Sequence, residues 1–560
     1  MSATLLDRSI RTSKAPETIV PCADCPALQR LEQELRELRR EVAKLRCDVG
    51  YWKRRHADAE KRNAQLAEEL RQAQGQIRTL QGKLFGRKSE KPPRTDRLND
   101  LFDPFEPLVP SRKRGAQAGH PGHGRRDYSH LPVEEEFVSL PEESLICPIC
   151  GKPATMMSAT EDSELLEIDV RAHRRRIRRR RYRMSCDCDP ARQTFTAPAP
   201  PKLIPKGNYG ISIWVHVLLD KYSSYRPTER LLGQLEQYDL DLPAGTINDG
   251  QRRIEPMLRP IYEAFCQRNR QGDFHQADET RWLVFVLVDG KKGYGWWLWI
   301  ILGADTVVYL LDPTRGHEAP ESHFGPEASG VLEVDRYAGY KTMTQVKSGL
   351  IVLAFCWAHV RRDFVQVGKN WSELTPWALS WLGRIRHLCR SNRERLRCPP
   401  DSAEFQQRNE SLRQVMQSMR GQAVEELSDP KLRQPCRKVL ESLQEHWTGL
   451  ARFVDDPRIP MDNNASERAG RGPAVARKNF YGSGSLWSGR LAAAMFSLLA
   501  TLAHWKLNPR LWLMWYLESC AAAGGKAPED IRPFLPWNLS AERRAALAER
   551  TTPPFTNDTS

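Results

Sequence analysis

No stretch of the chain is apolar for long enough to suggest a membrane span. The longest nearly apolar runs, 293–304 and 491–505, fall short of the roughly 18 to 20 residues a membrane helix needs. The opening MSATLLDRSI lacks a basic start, an apolar stretch and a small-residue cleavage site, so no secretory signal is expected. Cysteine is sparse, 13 in 560 residues, odd in number and mostly scattered, which excludes a disulfide framework and points to reduced thiols in a cytoplasmic protein. Acid is in deficit, with 70 Asp and Glu against 85 Lys and Arg and a net charge of +15. That surplus favours a polyanionic partner through counterion release, with nucleic acid the leading class. What is present is ample apolar material: 40% hydrophobic residues, including 16 Trp, 17 Phe and 14 Tyr. Global disorder is therefore excluded, and the length implies two to four domains.

From Leu28 to Leu84 a heptad runs in strict three-four spacing, and fifteen of its seventeen seam positions are apolar. His56 and Asn63 are the exceptions. Gly50, Gly75 and Gly82 fall off the seam and no proline interrupts it, so a helix of about 85 Å is expected, paired with a second copy as a parallel homodimeric coiled coil. A basic, Gly- and Pro-containing linker follows (GRKSEKPPR, then SRKRGAQAGHPGHGRR), either a solvated tether or a segment that tracks along phosphates.

Cys147-Pro-Ile-Cys150 aims two thiolates at one point, and Cys186-Asp-Cys188 supplies two more. Four thiolates in two close pairs fit one structural tetrahedral zinc, although the second pair has one intervening residue where two are usual. Between the pairs lies RAHRRRIRRRRYR, nine arginines in thirteen positions, of which Arg174, Arg175, Arg176, Arg178, Arg179, Arg180 and Arg181 form the densest part. Such a run is a solvated face by default; held beside a metal-organised scaffold it is a phosphate clamp. Residues 204–270 read as amphipathic helices, with a helix-turn-helix possible around 243–254.

Strand-like runs then appear at 274–288, 295–302, 307–311, 330–334 and 350–355, with a short helix at 317–324 before the fourth. Three strands joined by turns and a helical crossover to a fourth describe a mixed sheet of the ribonuclease H type. Some ninety helical, charged residues separate it from MDNNASERAGRGPAVARKNFYGSGS. Phosphodiester hydrolysis or transfer by two divalent cations needs carboxylate oxygens around them. Asp278 in the first strand, Asp335 at the end of the fourth and Glu467 at a helix start are candidates, since the first and fourth strands of such a sheet are neighbours. Glu467 could instead be half of a capping box with Asn464, and Asp289, Asp305 and Asp312 are acids that pattern leaves open.

Taken in order, the helix ending Lys83-Leu-Phe-Gly86-Arg-Lys-Ser-Glu90-Lys, the AQAGHPGHG linker, CPICG, ADET, DRYAGY, CWAHVRRDF, DNNASER with ARKNF, and the tail PFLPWN resemble the insertion-sequence 66 family of bacterial transposases, from about Leu28 to Asn538. The resemblance implies a DDE site on a ribonuclease H fold with Asp278, Asp335 and Glu467 as its acids, holding two Mg²⁺ or Mn²⁺ ions. His359 resembles the histidine of a Cys-x-x-His signature found in several DDE transposases and is expected to face the active site, with Cys356 in the core. Arg468, Arg471, Arg477 and Lys478 would line the approach of DNA. The implied partners are double-stranded DNA, both element ends and target, a second copy through the coiled coil, and small companion proteins from the same element. The implied location is the bacterial cytoplasm, at the nucleoid.

Three departures stand out: Arg336 replaces the usual glycine beside Asp335, the second cysteine pair is short, and Gly470, Gly472 and a displaced Pro473 follow Glu467. They leave a second reading, a catalytically inactive dimeric DNA-binding regulator. The expected architecture is multidomain α+β. A disordered N-terminus (1–27), leucine-zipper coiled coil (28–84), basic linker (85–135), zinc-binding module (136–200) and helical connector (201–270) come first. A ribonuclease H-like domain (271–367 and 455–505) split by a helical insertion (368–454) follows, then a C-terminal helical segment (506–560).

Overall fold

The computed structural model describes residues 26–85, 172–183, 194–287 and 293–548, with a few single positions between 133 and 165. The linker motifs and Cys147, Cys150, Cys186 and Cys188 lie outside the described residues.

Helix α1, Pro26–Phe85, is unbroken over 60 residues. Its seam is bare: Leu31, Leu38, Trp52 and Leu70 are each at least 60% exposed, and Leu35, Val42, Leu45, Val49, Leu66 and Ile77 are exposed as well. A narrow stripe at three-four spacing leaves a single helix no way to bury it on itself.

The arginine run is extended over 172–180 and enters a two-stranded antiparallel ribbon, β1 (Arg181–Arg183) with β2 (Thr194–Thr196). Its arginines are all exposed among the described residues, as mutual repulsion and hydration demand.

Three helices follow: α2 (Ile211–Tyr222), α3 (Thr228–Glu236) and α4 (Ala244–Arg270). The last is one 27-residue helix through Pro256 and Pro260, and Ile247, Ile254, Leu258, Ile261 and Phe265 on it are buried. The segment 243–254 is thus a packing element that opens a long core helix rather than a short recognition helix.

The sheet comprises β3 (Phe274–Leu283), β4 (Gly295–Leu302), β5 (Val307–Asp312), β6 (Gly330–Val334) and β7 (Ile351–Phe355), in the order β5-β4-β3-β6-β7. The β3–β4 and β4–β5 pairs are antiparallel; β3–β6 and β6–β7 are parallel. The first strand is shorter than its apolar run: beyond Leu283, Val284 bridges to Ser483. Helix α5 (Glu318–Phe324) carries the crossover to β6, and α6 (Ala338–Lys341) and α7 (Thr344–Lys347) lead to β7.

Alternation divides β3 between two cores. Trp282 joins Leu298 and Ile300 of β4 on one face, under α4, α15 (Leu486–His504) and α16 (Pro509–Ala522). Ala277 joins Trp299, Leu332, Val334 and Tyr340 on the other. Helix α15 is long and apolar enough to pass for a membrane span by composition. It is instead a core helix, with Ser497 and Thr501 bonded to the backbone of β5.

After β7, α8 (Trp357–Asn370) opens a third core shared with α9 (Thr375–Arg395), α10 (Ala403–Ser428), α11 (Gln434–Glu445), α12 (Trp447–Leu450) and α13 (Arg452–Asp455). Arg395 is fully buried there, donating to Asn409 Oδ1 and to the carbonyls of Val454 and Phe453. These bonds offset most of the cost of burying the guanidinium, although Nε is left buried without a partner. Helix α14 (Asn464–Phe480) returns the chain to the sheet, and α17 (Ala541–Leu547) ends the described part.

Candidate active site

The site is built where β3 and β6 part. Their ladder pairs Gln276 with Glu333, and Asp278 and Asp335 each stand two residues further on. Neighbouring strands are ~4.8 Å apart and this equal offset puts both carboxyls on one face, just past the end of the parallel ladder.

Glu467 arrives on α14, which lies along β3 in the same direction. Asn463 donates to Ala277 O at 2.7 Å, and further along the helix Arg477 reaches Thr280 Oγ1 and Arg281 O. Between these anchors Gly470 sits so close to β4 that a Cβ would stand 3.2 Å from Ile300, and 3.9 Å from Asp278 Oδ2. A Cβ at Gly472 would stand 2.3 Å from the Tyr225 hydroxyl. Of the two glycines expected to weaken this helix, Gly470 faces the sheet and Gly472 makes room for Tyr225 in the loop after α2, and the helix continues through Pro473 without a break. Nor is Glu467 half of a capping box: the cap is Asn463, whose amide goes to β3 instead.

Burial pushes Asp278 up to about 7, with Glu279, Glu467 and Asp335 raising it further and the Glu279 amide opposing. Each of the three acids is fastened separately. Asp278 Oδ1 accepts from the Glu279 amide at 2.8 Å and Asp335 Oδ1 from the Tyr337 amide at 2.8 Å. Glu467 Oε1 is drawn to His359 Nε2 at 3.7 Å and Arg362 at 3.9 Å. With Glu467 so turned, no three His, Cys, Asp or Glu side chains among the described residues close to metal-coordinating distance. The donor set itself, hard carboxylate oxygens in mutual repulsion, suits a divalent cation of the Mg²⁺ or Mn²⁺ type.

His359 lies in the first turn of α8 rather than at a strand end, its Nδ1 buried without a partner. Burial and Arg362 lower its pKa against the pull of Glu467 and Asp335. Cys356 is a core thiol that accepts the Asn463 amide at 3.2 Å and is pushed up to about 12 by burial. Arg336 is held by Asp363 and by Ser442 Oγ at 2.9 Å, so the cation beside Asp335 is neutralised and tied to the insertion. Of the other basic candidates, Arg468, Arg471 and Lys478 are exposed, while Arg477 is the strut on β3 described above. Asp305 pairs with Arg268 and Asp312 caps Thr314, which takes both away from the site; Asp289 lies outside the described residues.

Sequence pattern missed a second layer. Glu279 points opposite to Asp278, is 2% exposed, and holds Arg315 at 2.6 Å and the Tyr340 hydroxyl at 2.7 Å. The Arg315 guanidinium lies 3.9 Å over Tyr337 and 4.8 Å over Trp297. Beneath the acids, Glu333 is fully buried, takes one bond from Gln276 at 2.8 Å and leaves Oε1 unpaired. Strict alternation around ADET could have flagged Glu279; nothing local marks Gln276 or Glu333.

A mixed-sheet domain with acids side by side on two neighbouring parallel strands, one within β3 and one just after β6, and a third on a packed helix is the class defined so far. The sequence model of the Transposase IS66 family matches residues 206–491, and the chain belongs to that family. Among relatives in Sinorhizobium fredii (strain NBRC 101917 / NGR234), the uncharacterized protein y4jD is 28% identical over 430 residues, covering 74% of this chain and 81% of its own length. The uncharacterized protein y4hP is 24% identical over 510 residues, covering 84% and 89%.

Burial pushes Glu333 up to about 9, with Asp462 adding to the rise. Its proton is retained in the native state after an unfolded chain has shed it, so the stability it contributes is full below the ordinary glutamate range and falls as pH rises toward 9. Glu333→Gln should remove that fall, making the stability profile between pH 5 and 9 shallower by up to about 1.4 kcal/mol per pH unit. Urea unfolding at several pH values measures this, and parallel profiles for the two proteins would refute it.

Proposed function

We propose that the protein is a DNA transposase that binds the ends of its mobile element and cleaves and transfers strands at Asp278, Asp335 and Glu467. The carrying observation is geometric: strand register sets Asp278 and Asp335 on one face of neighbouring strands, and α14, which carries Glu467, is anchored on the same strand with Gly470 beside Asp278. The sheet order and its parallel β3–β6 pair support a ribonuclease H-like reading of the domain.

On this reading the three acids hold two divalent cations, which supply activation of the attacking oxygen and stabilisation of the leaving oxygen. The residues do the rest. Asp278 gives up its proton to serve as a ligand, and Glu467 turns from His359 and Arg362. His359 is left facing the scissile strand, while Arg468, Arg471 and Lys478 steady its phosphates. Water attacks phosphorus, the P–O3′ bond breaks and the 3′-oxygen leaves as a hydroxyl; that hydroxyl then attacks a target phosphate in the same way.

Arg174, Arg175, Arg176, Arg178, Arg179, Arg180 and Arg181, extended and exposed, supply further phosphate contacts. The bonds of Arg336 to Asp363 and Ser442 favour this reading over that of an inactive regulator.

Purified protein with element-end DNA and Mg²⁺ or Mn²⁺ should nick it. Asp278→Asn, Asp335→Asn and Glu467→Gln should each lower nicking by roughly 100-fold or more with DNA binding retained; undiminished nicking in these variants would refute the site. The bare seam of α1 supports a homodimeric coiled coil, so a peptide of residues 28–84 should sediment as a dimer at micromolar concentration, and a monomer there would refute pairing. The spacing of Cys147, Cys150, Cys186 and Cys188 supports one structural zinc per chain, lost on Cys147→Ser; metal analysis that finds none in the parent protein would overturn it.

A further inference from the structure

Beyond Glu467 one edge of α14 carries a second pattern. Positions 471, 474, 478 and 481 follow at helical spacing of four, three, four and three, so Arg471, Lys478 and Tyr481 share a stripe with the site carboxylate. Arg471 and Lys478 are exposed, and Tyr481 is 68% exposed. No acid occurs between Arg468 and Leu517, so the stripe has one sign of charge once it leaves Glu467.

Tyr481 closes the helix at φ 65°, ψ −28°. This left-handed position is one that glycine takes without penalty and a bulky residue does not. Its ring buries too little to offset that strain, and strain retained without packing in return is characteristic of functional positions.

The surroundings hold it firmly. The Tyr481 amide bonds Arg477 O at 2.9 Å, and a Cβ on Gly482 would stand 2.2 Å from Leu283 O. The Ser483 amide bonds Leu283 O at 2.8 Å, and Ser483 Oγ accepts from Trp282 Nε1 at 3.0 Å. The Phe285 amide in turn bonds Ser483 O, which sets the half-exposed pair of Phe285 and Tyr294, 5.7 Å apart, beside the platform.

We propose that Tyr481 is a base-stacking platform for a DNA strand that runs from the carboxylates along α14. Fourteen residues at ~1.5 Å each set it about 21 Å from Glu467, or about six nucleotides at ~3.4 Å per step. Arg471 and Lys478 take the intervening phosphates, and the ring takes an unpaired base, since any base offers a π face to an exposed aromatic. The inference rests on the strand-cleavage reading for what occupies the acids; the stacking contact itself needs neither metal nor cleavage.

Fluorescence anisotropy of the full chain with labelled dT20 and with a labelled 30-base-pair duplex, without added divalent metal, tests it. Tyr481→Ala should weaken dT20 binding roughly 5- to 100-fold and change duplex binding by less than about twofold, with Tyr481→Phe restoring the parent value. Tyr481→Gly should lose dT20 binding as the alanine variant does while raising Tm, which separates lost stacking from lost folding. Alanine and glycine variants that bind dT20 within about twofold of the parent would overturn the proposal, as would an equal loss on both probes or a phenylalanine variant that fails to restore binding. A parent protein that does not nick DNA yet shows the dT20 pattern would refute the cleavage reading and uphold the platform.

Discussion

The candidate site depends on the packing of α14 along β3. Gly470 presents no Cβ to Ile300 of the neighbouring strand or to Asp278, and Gly472 leaves room for the Tyr225 ring beside the helix. Asn463 at one end and Arg477 at the other are tied to the strand's own backbone and to Thr280. That contact delivers Glu467 to two aspartates already levelled by strand register. It also brings partly buried acids near one another, and Asp278 is pushed up mainly by desolvation, with its acidic neighbours adding to the rise.

The surroundings relieve that crowding asymmetrically. Glu279, one residue along and on the far face, is bonded by Arg315 and Tyr340. Glu467 has only the distant company of His359 and Arg362. The carboxylate with the weakest tether is the one that must swing for the three to share a ligand, while the strand acids stay fixed by backbone amides. Arg336 is removed from this balance by Asp363 and Ser442, which lie on α8 and α11.

Much of this architecture was legible in the residues. Dense β-branched and aromatic runs gave the strand positions to within a residue or so, except that β3 stops at Leu283 where its backbone turns to Ser483. The three acids could be singled out because hydrolytic chemistry demands carboxylates and the motifs resemble a known family. What stayed hidden involves partners remote in sequence. Gln276 and Glu333 are 57 residues apart, Arg336 and Ser442 are 106 apart, and Asn463 and Ala277 are 186 apart. Two glycines and a proline read locally as helix breakers, and only their neighbours across the interface show that the missing side chains are the point.

The helical insertion between His359 and Glu467 has a consequence for the order in which the protein is made. A chain emerging from the ribosome has every strand of the sheet and both aspartates translated about 110 residues before Glu467. Until then Ala277 O has no Asn463 to receive, and β3 lacks the helix that will cover it. A prematurely terminated product ending anywhere in the insertion lacks α14, α15 and α16, so it loses Glu467 together with the helices that cover one face of the sheet.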